Sequence, residues 1–168
     1  MKPHAAAVWR DRPRVVAAAY HEAGHAVAAL EHGHRLVRAT VVPNEDEGYV
    51  GRVTSPGLPP GMLRSVLGWW PSTAVRVRAE EVLLVTAAGG HAPAAFLGVG
   101  ADDPRGVDSR AMDDLQNFDL AVGLEQDDEG RAHALLQLVE LRAAAFVPDE
   151  LNWVLIEGVA MALSPGAF

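Results

Sequence analysis

From Arg14 to Glu31 the chain is rich in Ala and Val, has Gly24 as its only breaker, and stops at Gly33. Such a run predicts a helix, with Asp11 as its N-cap and Pro13 in the first turn, where a missing N–H does no harm. Two alternating, β-branched segments follow, Leu36–Val42 and Tyr49–Thr54, on either side of the polar stretch Pro43-Asn44-Glu45-Asp46-Glu47-Gly48. They predict a hairpin. Beyond a Pro/Gly loop at Pro56–Pro60 and the junction Trp69-Trp70-Pro71, a second helix is expected from Ser72 to Ala88. Gly89-Gly90 and Pro93 are expected to break it, leaving Ala94–Leu97 as a short turn. After a loop at Gly98–Gly106, three more helices are expected at Ser109–Leu124, Asp127–Phe146 and Pro148–Leu163. The pattern predicts a mainly α fold: one helical domain over residues 14–168 with a small β-hairpin, behind an N-terminal extension of residues 1–13.

Composition narrows the class. The 168 residues suffice for one domain with a core, and 49% apolar with 21% charged positions is ordinary for a globular protein. A formal net charge of -8, with Arg scattered and no basic stripe, argues against nucleic acid as a partner. The absence of cysteine removes disulfides, thiol nucleophiles and thiolate metal sites together, so any metal must be held by nitrogen and oxygen. Residues 1–14 lack the apolar run of a signal peptide, and no stretch reaches the roughly 18 uncharged apolar residues of a membrane helix. A cytoplasmic protein without a transmembrane segment is the expectation.

The first helix carries the chemistry. His21, Glu22 and His25 form an HExxH pattern. Residues four apart share a helix face, so both imidazoles can point at one ion, and zinc is the metal that suits them. Glu22, one position round, stays off the metal and can act as general base toward an activated water. The flanks, Ala19-Tyr20 and Ala26 to Leu30, make the helix apolar, and burying two His and a Glu in it without partners would cost several kcal/mol, roughly.

A third ligand must complete the sphere. Metzincins end the helix at a Gly three residues past the second His and place another His three further on; Ala28 and Glu31 stand there instead. His32 and His34 lie just beyond, at a helix C-terminus whose dipole suits a partly protonated imidazole. Glu80 and Glu81 are formal candidates on the next helix. A better one is Asp114: projected at about 100° per residue, Ala111, Leu115, Phe118 and Val122 make an apolar face that Asp114 flanks. Asp113 projects nearly opposite, and Asp119 lies on the other flank as a weaker rival.

Ala19-Tyr20-His21-Glu22-Ala23-Gly24-His25-Ala26 resembles the active-site helix of the FtsH-type, ATP-dependent AAA+ zinc proteases. Val41-Val42-Pro43, followed by Gly48-Tyr49-Val50, resembles the strand and turn that come next in that family, and Asp114-Leu115-Gln116 with Asp119-Leu120-Ala121 is similar to its third-ligand helix. The likeness spans roughly residues 14–125. It implies zinc held by His21, His25 and Asp114, and a metallopeptidase-like domain hydrolysing peptide bonds of peptides or unfolded protein. The spacing before that Asp is one residue shorter here, which keeps Asp113 as a rival. The family's Gly-Arg-x-Ala-Glu-Glu stretch is replaced by Gly89-Gly90-His91-Ala92-Pro93-Ala94, and no P-loop pattern occurs in the sequence. A partner ATPase, or a homo-oligomer, would have to come from elsewhere. The strand at Tyr49, Val50 and Gly51 is expected to hold an extended substrate at its edge. Two other functions compete: a catalytically inactive metal-binding adaptor or regulator, and a zinc hydrolase of small amides.

Overall fold

Arg12 to Glu31 form one helix, α1, whose small residues Ala19, Ala23, Ala26, Ala28 and Ala29 are fully buried. A computed structural model describes residues 12–41, 51–54, 72–99, 110–126 and 128–164 of the chain, with residues 12–14 and 110–116 described through their backbone alone. Gly33 takes a positive φ of 67° just past α1, the conformation that lets a helix end without a Cβ penalty.

The hairpin strands are shorter than expected. β1 (Arg38–Thr40) and β2 (Arg52–Thr54) pair antiparallel, with Arg38 opposite Thr54 and Thr40 opposite Arg52. The Val37 N–H donates to the Thr54 carbonyl at 2.9 Å, carrying the ladder one residue further. The expected turn between the strands, and Tyr49 and Val50, lie outside the described residues, as do Asp11, Pro56–Pro60 and Trp69–Pro71.

The second helix corrects the sequence expectation. α2 runs unbroken from Thr73 to Leu97, through Gly89, Gly90 and Pro93. Ser72 caps its start, its hydroxyl accepting from the Val75 N–H at 3.4 Å, and Gly98 ends it in the left-handed region. Gly costs about 1 kcal/mol and Pro about 3 kcal/mol in a helix interior. Burial offsets this, because Ala87 through Gly90 and Ala92 through Ala94 are all buried against neighbouring elements. Tertiary packing, not propensity, decides the continuation.

Three further helices follow among the described residues: α3 (Arg110–Leu124), α4 (Glu129–Phe146) and α5 (Glu150–Leu163). Asp128 caps α4 by accepting from the Arg131 N–H, and Asp149 caps α5 by accepting from Leu151 and Asn152. Pro148 therefore precedes the cap of α5 and does not occupy its first turn.

α2 separates two apolar clusters. On one side Ala88 and Ala92 pack with Val16, Ala19, Tyr20, Ala23 and Val27 of α1 and with Ile156 and Ala160 of α5. On the other, Ala79, Leu83, Leu84 and Ala87 pack with Leu120, Ala121 and Leu124 of α3 and Ala132, Leu135, Val139 and Ala143 of α4. The chain is mainly helical with one small antiparallel sheet. Among the described residues no helix is long and apolar enough to cross a membrane.

Candidate metal centre

α1 and α2 lie antiparallel and very close. Tyr20 stacks on Phe96 with ring centroids 4.1 Å apart, and at the other end His34 meets Glu81. Between these ends the crossing is made of small residues: a Cβ on Gly24 would stand 2.5 Å from the Ala88 carbonyl oxygen and 2.9 Å from the Ala92 Cβ. This closeness positions His25, one residue on. Its Nδ1–H donates to the Val85 carbonyl at 2.9 Å, and its ring lies against Gly89, where any Cβ would overlap it.

That bond sets the tautomer. A carbonyl only accepts, so Nδ1 carries the proton and Nε2 keeps its lone pair, the arrangement that a neighbouring carbonyl gives metal-ligating histidines. Nε2 of His25 then faces Nε2 of His21 at 2.9 Å, with the rings perpendicular and their centroids 4.5 Å apart. Without metal, His21 Nε2–H donates to His25 Nε2. Two nitrogens each about 2.0–2.1 Å from a tetrahedral zinc would stand about 3.3 Å apart, so the pair needs to open by only about 0.4 Å. The donor set fits zinc at two of its positions.

Glu22 is buried, 5% exposed, and its carboxylate lies against Gly51, the residue just before β2. A Cβ at Gly51 would stand 2.7 Å from both Cγ and Oε1 of Glu22. The hairpin and the HExxH helix thus meet at the acid. Of the strand residues expected at the site, Gly51 is brought to it; Tyr49 and Val50 lie outside the described residues.

Asp113 and Asp114 fall within α3, but their side chains lie outside the described residues. Among the described residues no group of three or more His, Asp or Glu could hold a metal ion. Among the described side chains of α3, Asn117, Leu120, Ala121 and Leu124 are buried, whereas Phe118 and Val122, two of the four residues of the expected apolar face, are half-buried. The helix turns its Leu120/Leu124 side to α2 and α4 because those leucines fill the cluster there. The Arg76 guanidinium donates to the Leu124 carbonyl at 3.4 Å, joining the start of α2 to the end of α3. Asp119 is exposed.

The other candidates are engaged elsewhere. Glu80 pairs with Arg76 at 2.9 Å, and Glu81 with Arg78 at 3.1 Å and with His34 at 3.4 Å. His34 is not a half-protonated residue serving the helix dipole. It is 3% exposed, and burial together with the Arg78 charge holds its pKa below the ordinary histidine value. The sequence pattern also missed two groups that shape the site, the Val85 carbonyl and Gly89. A backbone carbonyl leaves no trace in a sequence. Gly89 does, as one of a glycine pair in an Ala-rich helix.

Comparison of the chain with models of protein families, with curated proteins and with solved structures finds no match.

Proposed function

We propose that this chain is a zinc-dependent peptidase domain of FtsH-like type, acting on peptides or unfolded polypeptide. One observation carries the proposal: Val85 orients His25 so that its Nε2 meets that of His21, beside a buried Glu22. His21 and His25 would hold the zinc through Nε2, with Asp114 or Asp113 as the third ligand. Bound there, zinc supplies a Lewis acid for the scissile carbonyl and for water. Glu22 is the general base, taking a proton from the attacking water and returning it to the departing amine. Gly51 lets the backbone ahead of β2 approach that carboxylate, so an extended substrate laid along this strand by main-chain hydrogen bonds has its scissile bond beside the base.

The test is zinc content and hydrolysis of casein and short peptides by wild type and Glu22→Gln. Zinc in both proteins, with hydrolysis only in wild type, is expected. Zinc in both and hydrolysis in neither would replace the enzyme with a metal-binding adaptor. Cleavage of small amides but not of peptides would give the third alternative.

A further inference from the structure

The last helix presents an apolar stripe that the domain leaves outside. On α5, Ile156 and Ala160 are fully buried in the cluster with α1, while Leu151 (76% exposed), Val154 (61%), Leu155 (49%) and Met161 (52%) face outward. Gly158 and Ala162 are exposed with them. This spacing is one side of a helix. Single exposed apolar residues are ordinary, but a continuous row along a whole helix marks a surface that something covers.

The stripe is graded in size. Its N-terminal half is large (Leu151, Val154, Leu155), while its C-terminal half has the small Gly158 and Ala162 along its middle, with Met161 at one margin. A Cβ added at Gly158 meets nothing within 4 Å, so the notch there is open. A second α5 approaching antiparallel sets each large half over the other small one: Leu155 over the partner's Gly158, Leu151 over the partner's Ala162. Two-fold symmetry makes each contact twice. The stripe holds no charge, in a chain of formal net charge -8, so two copies can meet here without opposing carboxylates. The area covered is roughly 500 Å² per copy, or about 1,000 Å² in total, at the lower limit for a specific interface and suited to a micromolar dimer.

We infer that the chain forms a two-fold dimer with a second copy of itself, α5 packing antiparallel on α5 through this stripe. The contact lies on the side of α5 away from α1, so it leaves the His21–His25 site uncovered.

Sedimentation velocity of the full chain across the micromolar range tests this. A single monomer–dimer equilibrium is expected for wild type. Leu155→Glu and Gly158→Leu should each weaken it by at least about tenfold, with unchanged circular dichroism because both positions are exposed. Gly158→Leu is the sharper variant, since it adds apolar surface while filling the notch. Mixing Leu155→Glu with Gly158→Lys should restore a dimer that neither forms alone. A wild type that stays monomeric, a dimer indifferent to Leu155→Glu, or stronger association in Gly158→Leu would each overturn the inference.

Discussion

Gly89→Ala adds one methyl group to a helix interior, a change that normally stabilises. At this position it should do the reverse. The new Cβ would stand 2.6 Å from His25 Nδ1 and closer still to Cε1 and Nε2, whereas ordinary contact begins near 3.4 Å. The imidazole must withdraw by about 1 Å, which takes it out of hydrogen-bond reach of Val85 or of His21, each now at 2.9 Å. Loss of such an orienting partner weakens metal binding by about 10- to 100-fold, or about 1.4–2.7 kcal/mol. Overpacking costs about 1–3 kcal/mol and the lost bond about 1, against a helix-propensity gain of about 1, so the apoprotein should be about 1–3 kcal/mol less stable. Zinc affinity is read by competition with a chromogenic chelator, and stability by thermal denaturation in EDTA. Gly130→Ala, on the exposed first turn of α4, is the control and should gain up to about 1 kcal/mol. If Gly89→Ala binds zinc like wild type, His25 is not held where its ligand role requires.

Gly51→Ala should push the Glu22 carboxylate aside and, with Glu22 the proposed base and not a ligand, lower kcat while zinc affinity is nearly unchanged. Equal losses in both would make Glu22 a ligand. Of Asp113→Asn and Asp114→Asn, one should reduce zinc occupancy to near that of His25→Ala, and the other should leave it near wild type; retention of zinc in both would move the third ligand off α3. The His34 pKa is held down by burial and Arg78, and that of Glu81 by Arg78 and His34, whose bonds outweigh its own burial. Unfolded chain therefore binds protons first at both groups, so stability is full above about pH 6.5 and falls as pH drops toward the folded His34 pKa, with Glu81 adding to the loss below about pH 4.5. In EDTA the wild-type Tm should fall more steeply from about pH 7.5 to 5.5 than that of His34→Leu; parallel curves would remove His34 as a cause.

The HExxH helix was legible because its information is local. Spacing four along a helix settles which residues share a face, and no neighbour can alter that. The expected end of α2 at Gly89 failed for the opposite reason. Gly89 and Pro93 are poor helix residues taken alone, and only the close approach of α1, with Gly24 against Ala88 and His25 against Gly89, shows why small or rigid residues stand there. Within the described part of α3 the buried positions differ from the expected face for a related cause. Phe118 and Val122 looked like a core face, but Asn117 is buried beside Leu120 and Leu124, a polar residue that hydrophobic periodicity counts as outside. His34 was misjudged because its partners, Arg78 and Glu81, come from another helix more than forty residues away.

The replaced Gly-Arg-x-Ala-Glu-Glu stretch is the departure that weighs most against catalysis, and its place in the fold reduces that weight. Ala92 faces α1 in the same cluster as Ala88, and Pro93 and Ala94 are buried packing residues. His91 points the other way, its Nε2 2.7 Å from Glu140 Oε2 on α4. The substituted positions therefore tie α2 to its neighbours. Gly89, the first residue of that stretch, lies against His25, the proposed ligand, beside the Val85 carbonyl. A chain drifting toward a purely structural role would be free to fill position 89, gaining about 1 kcal/mol of helix propensity once the imidazole was released. The glycine stays, the ring lies on it, and Glu22 stays buried beside Gly51. The proposed zinc ligand and base account for both costs together, whereas a metal-binding adaptor would account for the first and has no need of the second.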